Sequence, residues 1–155
     1  MLKKVVVKKG EVLQRSGELN TKVFHVQSGL LRSYCLDYKG REHIFMFAPE
    51  GWTIGDATPA EQPSDLYIDA LEDAEVIILP KDIERENHNA AALIKRLYVL
   101  QKRVIMLMSS PAIERYEHFI KTYPDVTQRV SQKMIASYLG ITPEALSKVK
   151  NARRK

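Results

Sequence analysis

The sequence predicts an α+β chain in three parts. These are a double-stranded β-helix of jelly-roll form over residues 1–84, a long dimerisation helix over 85–108, and a helix-turn-helix without a complete wing over 109–155. Three observations carry that expectation. Short runs of branched and aromatic side chains crowd the first 82 residues, and six of the seven glycines lie before residue 56. A stretch free of glycine and proline follows, with apolar residues at heptad spacing. The end of the chain then joins a helix stop to a helix start and carries the net positive charge.

The β runs are Val5–Val7, Val12–Leu13, Val23–Val26, Leu30–Leu36, His43–Ala48, Tyr67–Ala70 and Glu75–Leu79. Turn residues separate them, among them Lys9-Gly10, Ser16-Gly17, Ser28-Gly29, Lys39-Gly40 and Pro49-Glu50-Gly51. Many short strands with close-set turns suit a sandwich or jelly roll. Tyr34–Phe47 reads as a hairpin turning at Asp37-Tyr38-Lys39-Gly40, with Ile44, Phe45 and Phe47 returning toward the core.

Pro80 ends the β part. From Arg85 to Met108 the residues Leu93, Leu97, Leu100, Val104 and Leu107 step by 4, 3, 4 and 3, a seam of two heptads. It serves either a symmetry mate or the chain's own β body, toward which Val99, Ile105 and Met108 widen the apolar face. Ser109-Ser110-Pro111 breaks this helix, and Ser110 is expected to cap the next with Pro111 in its first position. Ile113, Tyr116, Phe119 and Ile120 give that helix one apolar face, and Pro124 stops it.

Gln132–Ala152 reads as two short helices about a tight turn. Met134, Ile135, Tyr138 and Leu139 keep helical spacing before the break, and Ala145, Leu146 and Val149 keep it after. Gly140 ends the first helix, Thr142 caps the second, and Pro143 opens it where a missing N–H does no harm. Ala136 is small, as a close helix crossing requires, and Ile135, Leu139, Ile141, Leu146 and Val149 would wedge the pair against a core. The plain alternative is an ordinary helical hairpin. Charge favours a reading helix over Thr142–Ala152 that enters a DNA groove. From Gln128 onward there are seven Lys/Arg (Arg129, Lys133, Lys148, Lys150, Arg153, Arg154, Lys155) against Glu144 alone, while the first 127 residues carry 17 bases and 18 acids.

Length and composition bound the rest. At 155 residues, 45% hydrophobic and 28% charged, the chain suits a globular domain with a small appendage. The sequence contains no run of 18 apolar residues, the length that spans a membrane, and MLKKVVVKKG lacks a signal-peptide apolar region, so a cytoplasmic protein is expected. A single cysteine, Cys35, permits no internal disulfide and no four-cysteine cluster.

The order β-roll, long helix, helix-turn-helix resembles the cyclic-AMP receptor protein/FNR family of bacterial transcription regulators. The resemblance rests on Lys9-Gly10-Glu11 with Gly17, on VFHVQSGLL (23–31), on FAPEGWTIGD (47–56) and on Val130–Lys150. It implies a homodimer that binds double-stranded DNA, with RNA polymerase a candidate partner and a small-molecule effector of unknown identity. The family usually carries one helix before the roll and a wing after the reading helix, and this sequence shows neither. By the resemblance Glu144 accepts from a cytosine amino group, and Lys148 stands for a later arginine that reaches guanine or phosphate. Thr142, Ala145 and Ser147 share their face, and Pro143 replaces an arginine that many members carry. Gln132, Lys133, Lys150, Arg153 and Arg154 would hold phosphates and set register.

The sensor part departs from the family. Its nucleotide-binding members hold ribose with Gly-Glu and the cyclic phosphate with Arg-Ser or Arg-Thr. Those pairs read Gly55-Asp56 and Ser64-Asp65 here, and residues 56–69 contain four acids and no base. A buried phosphate needs a fixed cation and convergent donors, so cyclic AMP and cyclic GMP are not expected as ligands. Gln101 either reaches a pocket from the long helix or faces solvent. No cofactor or metal is expected. His25 and His43 stand alone in their strands, which disfavours a cupin-type metalloenzyme, and Cys35 reads as a buried thiol. A ligand sensor without DNA binding is the remaining alternative.

Overall fold

The computed structural model describes residues 2–81 and 90–155, and the chain divides after Lys81 into two compact units. The expected 84/85 boundary and the first residues of the expected long helix lie outside the described residues.

The first unit holds eight strands: β1 (Lys3–Val7), β2 (Val12–Gln14), β3 (Val23–Ser28), β4 (Leu31–Leu36), β5 (Glu42–Ala48), β6 (Thr53–Gly55), β7 (Tyr67–Ala70) and β8 (Ala74–Leu79). They form two four-stranded antiparallel sheets, ordered β1-β8-β3-β6 and β2-β7-β4-β5. Apart from the β4–β5 hairpin, strands adjacent in sequence thus fall in different sheets, as in a jelly roll. Alternate residues from both sheets meet in one core: Val7, Phe24, Val26, Leu31, Ala48, Ile54, Ile68, Ala70, Ala74 and Val76, with Leu13, Met46 and Trp52 packed against it.

The β4–β5 hairpin turns where expected. Gly40 adopts φ 75°, its amide donates to the Asp37 carbonyl at 2.9 Å, and the Asp37 carboxylate accepts from the amides of Lys39 and Arg41. Phe45 departs from the expectation. Ser33 faces Met46 and Tyr34 faces Ile44, so the register shifts in a bulge at Phe45, and Phe45 is 37% exposed while Ile44 and Phe47 are buried. Strand β6 is an eighth strand that the sequence did not reveal, because three residues, the last of them Gly55, give too short a pattern.

The second unit contains α1 (Ala90–Ser109), α2 (Ala112–Thr122), a 3-10 turn at Val126–Gln128, α3 (Gln132–Leu139) and α4 (Pro143–Arg153). Helix α2 starts one residue later than expected. Pro111 occupies its cap position and Ser110 does not cap it. Instead the Ser110 amide donates to the Met106 carbonyl, extending the end of α1, and its own carbonyl accepts from Arg115. The α2–α4 core is aromatic at its centre. Phe119 is fully buried, with ring centroids 5.4 Å from both Tyr123 and Tyr138, and those two lie 5.5 Å apart edge to face.

Candidate nucleic-acid interface

Local chemistry sets the α3–α4 pair. The Ser131 hydroxyl accepts from the Met134 amide and caps α3, a role the sequence reading missed although serine is a preferred cap. At the other end Gly140 adopts φ 64°, its amide donates to Ser137, and the Ile141 amide donates back to Ala136. Thr142 then accepts from the Ala145 amide at 3.1 Å, with Pro143 opening α4. Ile135, Ala136, Leu139 and Leu146 are buried where the helices cross, while Ile141 and Val149 are half-buried.

This wedge leaves one face of α4 in solvent. Thr142, Pro143, Glu144, Ser147 and Lys148 are exposed and Ala145 is half-buried. Glu144 and Lys148 stand one turn apart, and neither belongs to an ion pair among the described residues. Gln132, Lys133, Arg153 and Arg154 are exposed beside that face. Lys150 is half-buried and donates to the Gln132 side-chain oxygen at 2.9 Å, joining α4 to the start of α3. Gln132, Pro143, Ser147, Lys150, Asn151 and Arg154 line one shallow depression here. Asn151 is exposed one turn beyond Ser147 and belongs with this face, though the sequence reading did not assign it. The arrangement presents hydrogen-bonding side chains along a helix flanked by cations, the form that enters a major groove.

The expected seam lies along α1. Leu93, Leu97, Leu100 and Val104 are exposed, and so are Ile94, Tyr98, Ile105 and Met108, so the apolar surface is wider than the heptad alone. Leu107 is half-buried, with its Cδ2 3.7 Å from where a Cβ on Gly140 would stand. Gln101 is exposed on the same helix.

In the roll, Gly55 ends β6 and the Asp56 carboxylate is 5% exposed. One Asp56 oxygen accepts from the amide and hydroxyl of Thr58, the other from the amides of Asp65 and Leu66 at 3.0 and 3.1 Å. Ser64 is buried and its hydroxyl donates to the Arg15 carbonyl, whereas Asp65 is exposed. Convergent donors exist here, but the chain's own carboxylate takes them. The four positions do not provide the cation that a cyclic phosphate requires, and they do not fit that ligand.

Burial opposes ionisation of Asp56, and the hydrogen bonds from Thr58, Leu66 and Asp65 outweigh it, holding the carboxyl below the usual range. A depressed folded-state pKa contributes stability that is complete above the unfolded value of about 4 and is lost as pH falls below it through the lower folded-state value. The stability difference between the parent chain and Asp56→Asn is therefore expected to shrink from about pH 5 to about pH 3. Urea midpoints at each pH measure this, and a gap independent of pH would contradict it.

One cluster was not legible in sequence. The buried Arg32 guanidinium grips Asp69 through Nε and Nη2 at 2.8 and 3.0 Å and reaches Glu42 through Nη1 at 2.6 Å. It lies 4.3 Å from the centre of the Tyr34 ring, which stacks on Tyr67. Burial alone would lower the Arg32 pKa, but its bonds to Asp69 and Glu42 raise it, so the cluster is a fixed structural ion pair. Among the described residues no three His, Cys, Asp or Glu side chains converge to hold a metal. His25 bonds Thr53 and His43 bonds Asp37, so each of these two histidines has a local partner. Cys35 is a half-buried free thiol.

Residues 4–86 match the cyclic nucleotide-binding domain family. The whole chain is similar to the Anaerobic regulatory protein of Haemophilus influenzae, at 27% identity over 95% of this chain and 65% of the relative. It is also similar to the Nitrogen fixation regulation protein FixK of Rhizobium meliloti, at 25% identity over 92% of this chain and 71% of the relative. The chain thus spans slightly less than two thirds of the Haemophilus protein. Among solved structures, FixK2 from Bradyrhizobium japonicum aligns with a TM-score of 0.81 at 21% identity, covering 99% of this chain and 85% of that one. A CRP/FNR-family transcriptional regulator from Thermus thermophilus aligns at 0.78 and 20% identity, covering 98% and 87%.

Proposed function

This chain belongs to the cyclic nucleotide-binding domain family, and on that premise we propose that it is a sequence-specific DNA-binding transcription regulator acting as a homodimer. The observation that carries the reading is the solvent-facing side of α4, where Glu144, Ser147 and Lys148 stand clear of the core among exposed cations. The regulatory names of its relatives support the same reading.

In the proposed complex α4 lies in the major groove. Glu144 accepts from a cytosine amino group, and Lys148 donates to guanine. Lys133, Arg153 and Arg154 neutralise phosphates, while Gln132 and Lys150, already bonded to each other, fix register. Two copies joined along α1 read an inverted repeat about one helical turn apart. RNA polymerase is the proposed protein partner, and the cytoplasm the proposed location.

Selection of bound duplexes from a random pool, with gel filtration for the oligomer, tests the reading, and recovery of no common sequence would sink it. Lys148→Ala is expected to cost about 1–3 kcal/mol at its cognate base pair and to relax preference there. An unchanged binding motif would remove Lys148 from the reading face. Cyclic AMP is expected to leave the melting temperature unchanged at millimolar concentration, since a ligand selective for the native state must raise it. A rise of several degrees would overturn the account of Asp56, Ser64 and Asp65.

A further inference from the structure

A helix C-terminus leaves its last carbonyls without intrahelical partners. At the end of α3, two arginines from other helices supply donors to consecutive carbonyls. Arg103 of α1 donates to Tyr138 O at 3.4 Å while its guanidinium covers the Tyr138 ring at 4.1 Å. Arg115 of α2 donates from Nη1 to Leu139 O at 3.0 Å. The same guanidinium donates from Nη2 to Leu107 O at 2.7 Å and from Nε to Ser110 O at 2.9 Å. One half-buried side chain therefore ties the last turn of α1, the α1–α2 corner and the end of α3. Only a planar fork of fixed donors can meet three such acceptors together, and a lysine cannot reproduce it. The carbonyls at both helix ends carry partial negative charge, which favours a cation at this junction.

The neighbourhood of the junction links it to the reading helix. Arg115 Nη1 lies 3.6 Å, and Leu107 Cδ2 3.7 Å, from where a Cβ on Gly140 would stand, and Gly140 is the turn that launches α4. Leu107 continues the apolar row of α1. The direction of α4 relative to α1 thus passes through Arg115.

We propose that Arg115 is a positioning residue that fixes the angle between α1 and the α3–α4 pair, and so sets the half-site spacing that a dimer accepts. This rests on the DNA reading above. It assigns no contact between Arg115 and DNA.

The test uses the full chain with Arg115→Gln and Arg115→Lys, each first checked for native helical content. Binding is measured to a single half-site and to inverted half-sites with spacers stepped one base pair at a time. The parent chain is expected to prefer one spacer. Arg115→Gln and Arg115→Lys are expected to flatten that preference about tenfold, within the range such coupling positions carry, while half-site affinity changes less than about twofold. An unchanged spacing profile in a folded variant would overturn the proposal, as would restoration of the profile by lysine. Equal losses at the half-site and at every spacer would also overturn it, because they mark a merely structural role. A second readout does not depend on DNA. Spin labels at Lys95 and Asn151, in Cys35→Ser chains diluted with unlabelled protein, are expected to give one narrow distance that Arg115→Gln broadens. An unchanged distribution overturns the positioning role by itself, whereas failure of the unlabelled parent chain to bind any duplex, with the distance still broadened by Arg115→Gln, keeps that role and sinks the DNA reading.

Discussion

Leu97→Asp combined with Leu100→Asp is expected to convert the protein to monomers and to lower affinity for a two-half-site operator by about 10²–10⁴-fold, the advantage that joining two binding events confers. Leu97 is 66% exposed and Leu100 42%, in the middle of a helix that also exposes Leu93, Ile94, Tyr98 and Val104. A single helix rarely leaves so many large apolar side chains in water, and contiguous apolar surface of this kind marks an interaction site. The heptad steps from Leu93 to Val104 match a partner helix of the same sequence, for which aspartates at two seam positions would be buried without counter-charge. Affinity for an isolated half-site is expected to stay the same, because neither residue lies on α4. Sedimentation and parallel titrations of operator and half-site measure both parts. A double variant that remains dimeric, or a monomer that holds the operator as tightly as the parent, would falsify the seam.

What could be read from sequence was what local chemistry determines. Gly140, Thr142 and Pro143 act within one turn of their own positions, and all three do in the structure what their chemistry foretold. Ser131 is equally local and was missed, because no apolar period precedes it to mark a boundary. Ser110 and Pro111 were misassigned by one residue. A cap is chosen by competition, and Arg115 and Met106 had already claimed the groups of Ser110. The β-roll was legible as a count of runs and turns, but its register was not. Arg32 faces Asp69 across 37 positions, and nothing near Arg32 shows that a carboxylate will meet it. The same limit hid the bulge that turns Phe45 outward and the four donors that gather on Asp56. The solvent-facing side of α4 was therefore visible before the fold, whereas the roll's polar interior required the sheets to be built.

Phe119→Ala is expected to destabilise the helical unit by about 3–5 kcal/mol, the range for emptying a buried aromatic position. The ring has no exposed surface and sits between Tyr123 and Tyr138, so its removal leaves a hole lined by two phenols that pack edge to face. Collapse is opposed from both sides. Tyr138 is pinned by the Arg103 guanidinium over its ring, and Tyr123 ends α2 with its amide bonded to the Phe119 carbonyl. The surrounding groups therefore relax little, and the cost belongs at the upper end of the range. The protein's single tryptophan, Trp52, packs against the roll core and reports that unit, while the described helices all lie in the other, so fluorescence and far-ultraviolet dichroism read the units separately. The dichroism midpoint in urea is expected to fall and operator binding to fail at 37 °C, because α4, with Leu146 fully buried, packs on α2, the helix that carries Phe119. A helical transition shifted by less than about 1 kcal/mol would mean that the tyrosines refill the space, and that the aromatic centre does not hold the reading helix in place.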